Sequence, residues 1–309
     1  MRLDLVDVLA TDKVQLPGLL YRPAPATSKV AVWLHGMGDS GVFYKPTLIN
    51  ALGKALTNAG IGFLALNNRG AHNIKTLKVA NEDLPEEDQH YQGGTHYELI
   101  ADCVYDINGA VDFLRRKNFS EFYLLGHSTG ANKVCAYHIR AKKNPFTKYV
   151  LAGPGDDSGL GFTDLGEKKF WQAIDYARDK VRNKQPLHVM PRYTGMHPFS
   201  AQSALEILNP DGDYNTFPYY EYTIKRLGAK PLFKEYRSIN IPLQVVFGEN
   251  DEYAYTAGDA AHALGILRKH TGKTITDISD FRLIAGTDHS FKGAEMAFAN
   301  IVGDWLSND

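Results

Sequence analysis

The chain has 309 residues, 44% apolar and 22% charged, with a formal net charge of -1, a balance that fits a folded core and excludes disorder. Charges of both signs, with no Lys/Arg stripe, exclude the electrostatic footprint of a nucleic-acid binder, and no apolar run reaches membrane-spanning length. The opening MRLDLVDVLA carries acidic residues inside its apolar stretch, unlike a secretory signal, so a cytoplasmic location is the default expectation.

Residues 3–10 and 16–22 alternate as short strands joined by Thr11-Asp12-Lys13, which predicts an antiparallel hairpin at a sheet edge. Residues 30–36, 61–70 and 122–128 are nearly continuously apolar, as expected of strands buried on both faces of a parallel sheet. Between them, Leu48, Leu52 and Leu56 in 43–59, and Ile100, Val104, Ile107, Val111 and Leu114 in 97–117, recur at helical steps. The two cysteines, Cys103 and Cys135, lie in amphipathic helical segments and read as packed thiols.

After a strand at 149–154 the rhythm stops for about eighty residues, too long for a loop. Helical patterns at 166–183 and 201–208 and an aromatic, Pro/Gly-rich tract at 210–222 mark a candidate cap. The rhythm resumes with a strand at 243–251, a helix near 256–270, a strand near 278–285 and a last helix from about 292 to 306. The expected fold is α/β: one domain over 1–309, a doubly wound, mostly parallel sheet with a cap inserted over approximately 155–238.

Gly126-His127-Ser128-Thr129-Gly130 falls between an apolar strand and a helix, the context of a nucleophile elbow. The tight turn would leave the Ser128 hydroxyl exposed at a helix start, where aligned N–H groups favour developing negative charge. Serine is a weak nucleophile near neutral pH and needs a base within hydrogen-bond reach. Of eleven histidines, His289 lies in the loop between the last strand and the last helix, giving the chain order Ser, acid, His. Three carboxylates, Glu249, Asp251 and Glu252, follow the strand before it; Asp251 is the expected partner, and Glu249 and Glu252 read as solvated loop charges. The backbone N–H of Thr129 is one expected oxyanion donor, and Met37, in the glycine-rich turn after strand 30–34, is the other. No Gly-Lys-Ser/Thr follows that turn, so it is no phosphate loop.

His90 and His96, near the acidic tract Glu82–Asp88, have no regular ligand spacing and read as parts of a solvated loop; no metal and no cofactor are expected. The aromatics Phe162, Phe170, Trp171, Tyr193, Phe199, Phe217, Tyr219, Tyr220 and Tyr222 could line an ester pocket or pack the cap onto the sheet.

With a strand-HG turn, a strand-GxSxG elbow, a strand-acid and a strand-His in order, the chain resembles the α/β-hydrolase superfamily, only the cap and 71–95 lying outside the match. His35-Gly36-Met37-Gly38 resembles the HGxG turn of esterases and monoacylglycerol-lipase-like members, in which the residue after HG completes the oxyanion hole. The elbow Gly-His-Ser-Thr-Gly is similar to a branch related to fungal siderophore esterases. The resemblance implies a carboxylesterase acting on a small-molecule ester through an acyl-enzyme on Ser128. Serine at the elbow argues against dehalogenases and epoxide hydrolases, which resemble this layout but use aspartate. A slow or non-catalytic ligand-binding receptor, a peptidase and a C–C bond hydrolase share the layout and stay open.

Overall fold

The computed structural model describes residues 1–81, 83–191, 199–254 and 259–308. Strands β1 (Arg2–Leu9) and β2 (Gln15–Arg22) pair antiparallel, and β1 is an edge of the main sheet. Then come β3 (Lys29–Leu34), helix α1 (Pro46–Asn58) and β4 (Gly62–Leu66). The tract without an assignment in sequence forms a separate antiparallel ribbon of β5 (Lys75–Lys78) and β6 (His90–Gly93). Helix α2 (Cys103–Arg116), β7 (Glu121–His127), α3 (Thr129–Arg140) and β8 (Phe146–Ala152) restore the alternation.

Between β8 and the next sheet strand the described elements are helices: α4 (Asp157–Leu165), α5 (Glu167–Arg182), α6 (Ala201–Leu208), α7 (Tyr219–Thr223) and α8 (Lys234–Arg237). The chain closes with β9 (Leu243–Gly248), α9 (Ala260–His270), α10 (Lys273–Thr276), β10 (Asp280–Ile284) and α11 (Glu295–Ser307). The predicted start of the α9 segment at 256–258 lies outside the described residues, as do Glu82 and Tyr193.

The eight strands run in the order β1-β2-β4-β3-β7-β8-β9-β10, with β2 antiparallel to β4 and every pair from β4 to β10 parallel. The chain reverses its direction of progress across the sheet at β3, so β3 and β7 end side by side at the switch point, where open α/β sheets bind ligands. Both faces are covered. Val30, Val32 and Leu34 of β3 join the core under α2, α3 and α9, while Ala31 and Trp33 join the one under α1 and α11. The leucine stripe of α1 meets Phe298, Val302 and Leu306 there, and each such buried side chain contributes about 1.5–3 kcal/mol.

Strand β4 stops at Leu66 although the predicted run extends to residue 70, because the next three residues are polar and buried. Asn67 Oδ1 accepts the Val42 N–H at 2.7 Å. The Arg69 guanidinium bonds Asp106 at 2.7 and 2.9 Å and Asp12 at 2.9 and 3.0 Å, and the Arg69 N–H also reaches Asp106, at 2.8 Å. This fixed loop lies beside the switch point.

His96 departs from the expected solvated loop: it is 2% exposed, and its ring meets Tyr97 edge-on at 4.3 Å. Helix α6 covers it, with the Ser200 N–H donating to the His96 carbonyl at 2.8 Å and the Ser203 hydroxyl to Thr95 O at 3.2 Å. His90 is exposed on β6. Cys103 and Cys135 are both buried free thiols.

Most aromatics of the helical tract are packing groups. Phe162 and Phe170 meet edge-on at 5.2 Å in a small core of α4, α5 and α6, and Phe217, Tyr219 and Phe233 are fully buried in the core that continues under the sheet.

Candidate active site

The turn from β7 into α3 holds Ser128 at φ 55°, ψ -126°, a backbone state that a residue with a side chain adopts only under constraint. The flanking glycines explain how the chain tolerates it. A Cβ at Gly126 would stand 2.2 Å from Gly130 O, and one at Gly130 would stand 2.2 Å from Leu34 O. The Ser128 N–H is tied to Ala152 O at 2.8 Å, so β8 fixes the elbow from the other side.

The turn after β3 passes directly over the serine. A Cβ at Gly36 would lie 2.8 Å from Ser128 Cβ and 3.3 Å from its Oγ, so glycine there lets the Gly36-Met37 backbone approach the hydroxyl. His35 Nδ1 donates to Gly36 O at 2.8 Å, and the Gly38 N–H donates to Thr95 Oγ1 at 2.6 Å. Burial, with the Lys133 charge adding to it, pushes the His35 pKa down to about 3, so this histidine braces the turn in its neutral form.

Of the three carboxylates after β9, Asp251 faces the histidine. It is fully buried, and its oxygens lie 2.9 and 3.0 Å from His289 Nδ1. The Tyr253 N–H donates to Asp251 Oδ1 at 3.0 Å and holds the carboxylate in place. Glu249 and Glu252 are exposed, yet each grips the His289 loop: Glu249 accepts the Gly286 N–H at 2.8 Å and Glu252 the His289 N–H at 3.1 Å. No hydrogen bond joins Ser128 to His289 among the described residues, the His289 ring being bonded to Asp251.

Sequence reasoning missed residues that hold this arrangement together. His127, the second residue of the elbow, binds the His289 loop: its Nε2 donates to the His289 carbonyl at 2.8 Å, and its ring stacks on Trp33 at 6.0 Å. Burial, reinforced by the nearby His289, holds His127 well below the usual imidazole range and therefore neutral. Gly153, at φ +54°, passes so close that a Cβ would lie 3.0 Å from both Asp251 Oδ2 and His289 Nδ1. The Ala-Gly-Pro-Gly run after β8 was its only signal. Tyr253 packs edge-on against the His289 ring at 4.7 Å while half its surface stays exposed.

Among the described residues no group of three or more His, Cys, Asp or Glu side chains is arranged to hold a metal ion, and no helix is long and apolar enough to cross a membrane.

The sequence family described as protein of unknown function DUF1749 matches residues 94–306, which include Ser128, Asp251 and His289. The chain belongs to the DUF1749 family. No curated protein matches this DUF1749 member in sequence. Among solved structures it is similar to the esterase Est1E from Butyrivibrio proteoclasticus with ferulic acid bound, at 14% identity and a TM-score of 0.61, covering 97% of each chain. It is also similar to an esterase from Pyrococcus furiosus, at 15% identity and a TM-score of 0.59, covering 99% of this chain and 90% of that one. A third likeness is to the alpha/beta hydrolase GrgF from Penicillium sp. sh18, at 14% identity and a TM-score of 0.58, covering 99% and 98%. With the strand order and the elbow at the switch point, these likenesses show an α/β-hydrolase fold in this DUF1749 member.

Proposed function

We propose that this DUF1749 member is a serine hydrolase that cleaves carboxylic esters. The observation that carries the reading is the buried Asp251–His289 pair together with a strained serine whose hydroxyl faces a glycine turn. In the proposed cycle Ser128 Oγ attacks the ester carbonyl carbon while His289 Nε2 takes its proton. Asp251 accepts the Nδ1–H and stabilises the imidazolium. The N–H groups of Thr129 and Met37 receive the oxyanion, the alcohol leaves with the proton from His289, and water repeats the sequence to release the acid. The esterase neighbours support ester bonds over other acyl compounds by analogy of fold.

The helical insertion over approximately 155–238 is, in this reading, a cap that shapes the acyl and alcohol pockets. Turnover of p-nitrophenyl esters of increasing chain length, against matched anilides, tests the reading. Sustained ester hydrolysis with kcat/KM well above that of the anilides is expected. Faster anilide cleavage would replace the esterase with a peptidase.

A further inference from the structure

An N–H group serves an oxyanion only if it points at the place where the charge develops, so the turn after β3 has to hold the Met37 peptide in one attitude. The turn is closed by the Asp39 N–H on Gly36 O at 3.3 Å, and His35 Nδ1 donates to the same oxygen at 2.8 Å. A trans peptide carries its N–H opposite its C=O, so two donors on Gly36 O set the direction of the Met37 N–H from one end of the turn. Gly38, at φ +68° and partly exposed, is the soft end, because without a Cβ its backbone has wide freedom.

The bond that stiffens this end comes from Thr95, whose Oγ1 accepts the Gly38 N–H at 2.6 Å. Thr95 is 1% exposed and lies between β6 and α2. Its hydroxyl proton goes to Gly70 O at 3.2 Å, which leaves the oxygen lone pairs for Gly38. Gly70 is itself pinned: its N–H donates to Asn68 Oδ1 at 3.1 Å, and the same oxygen accepts from Lys133 Nζ at 3.1 Å. Lys133 is fully buried on α3, the helix that begins after Ser128, and pairs with Glu98 at 2.6 Å.

The main chain of Thr95 is held on two sides. Its N–H donates to His72 O at 2.8 Å, and the His72 N–H reaches back to Asp39 O in the turn at 3.0 Å. Its carbonyl accepts the hydroxyl of Ser203, a fully buried residue of α6, at 3.2 Å. One threonine therefore joins the turn over Ser128 to the elbow helix through Gly70, Asn68 and Lys133, and to the helical insertion through Ser203.

We propose that Thr95, backed by Ser203 of α6, is a positioning residue for the oxyanion turn. It touches no reacting atom and acts through the Gly38 N–H on the attitude of the Met37 N–H. The insertion thereby has a task besides shaping the pockets, because α6 steadies the residue that steadies the turn. A valine at 95 has nearly the shape of threonine but leaves the Gly38 N–H without its acceptor, so direction is lost rather than packing. The inference rests on the ester-hydrolase reading, which gives the turn its task.

The test is steady-state hydrolysis of a p-nitrophenyl ester by wild type, Thr95→Val, Thr95→Ser and Ser203→Ala. Removing an oxyanion donor outright costs about 10²–10³ in kcat, so misdirecting one in Thr95→Val should lower kcat and kcat/KM together by about ten- to a hundredfold, with KM little changed. Thr95→Ser, which keeps the oxygen, should recover most of the lost kcat. An aryl trifluoromethyl ketone, which adds Ser128 Oγ to its carbonyl and so forms the same oxyanion, should bind Thr95→Val more weakly by the factor lost in kcat/KM. A purely structural Thr95 would lower the melting temperature of Thr95→Val and leave kcat unchanged, which would overturn the proposal, as would a change confined to KM. If Thr95→Val does not fold, Ser203→Ala decides: kcat lower by about threefold or more at unchanged KM supports the proposal, and unchanged kcat overturns it. A wild-type protein that hydrolyses no ester would instead overturn the hydrolase reading, and this inference with it.

Discussion

A methyl group at Gly153 would press on both members of the Asp251–His289 pair at 3.0 Å, and the position also requires positive φ. Gly153→Ala should therefore lower kcat more than it raises KM, by about ten- to a hundredfold, and lower stability by about 1–2 kcal/mol. Steady-state kinetics together with urea unfolding check both. Loss of stability with unchanged kcat would remove Gly153 from the positioning of the pair. Ser128→Ala should reduce turnover at least a thousandfold while leaving the fold intact, and near-normal ester hydrolysis by that variant would refute the assigned nucleophile. At this scale the placement of Ser128 in a strand-to-helix turn and the meeting of Asp251 with His289 were legible, because that turn and the chain order confine them. His127 and Gly153 were not legible in the parts they play here. What they do depends on contacts between segments far apart in the chain, such as His127 with the His289 carbonyl, and no local pattern records such contacts.

The loop after β4 and helix α6 show how elements that carry no proposed catalytic group hold the site. Arg69 is buried on Asp106, and removing that carboxylate strands a guanidinium in the core. Asp106→Ala should cost about 3–5 kcal/mol, read as a large drop in the urea midpoint; a change below about 1 kcal/mol would mean that Asp12 and Asp102, the latter 3.5 Å from the Arg69 guanidinium, suffice to hold the loop. Glu206 on α6 accepts the Ile100 N–H at 2.9 Å, and burial raises its pKa from 4.5 to about 7. Because the folded value lies above the unfolded one, the folded protein keeps this proton where the unfolded chain has lost it. The stability gained is full below about pH 4.5 and is lost as pH rises through 7. Glu206→Gln keeps an acceptor for Ile100 but cannot titrate. Relative to wild type it should gain ~2 kcal/mol between pH 5 and 8, followed as the difference in melting temperature. A difference that does not change with pH would show that Glu206 does not hold a raised pKa. Periodicity revealed α6 over its full span, whereas the β5–β6 ribbon escaped notice because four-residue strands flanked by charges carry no alternation long enough to read.

At the level of the molecule, the near-continuous apolar runs at β3, β4 and β7 made a parallel sheet legible, and the break in rhythm after β8 marked the helical insertion. The sequence does not record how the insertion joins the sheet. Ala177, Ile207, Phe217 and Tyr236 of the insertion belong to the same apolar core as Leu124 and Val245 of the sheet, while Phe162, Phe170 and Ile174 form a smaller core of their own. The shared core predicts that insertion and sheet unfold together, with a van't Hoff enthalpy close to the calorimetric one. Two separate calorimetric transitions would show that the insertion is an independent unit.

The reading of the whole molecule as a serine hydrolase depends on Ser128 being activated within this architecture. Labelling of the folded protein with a fluorophosphonate, followed by mass-spectrometric mapping of the adduct, addresses that directly. The account predicts one adduct per chain, on Ser128, with its formation suppressed in His289→Ala. An unlabelled Ser128 in folded protein, or an adduct on another residue, would contradict it.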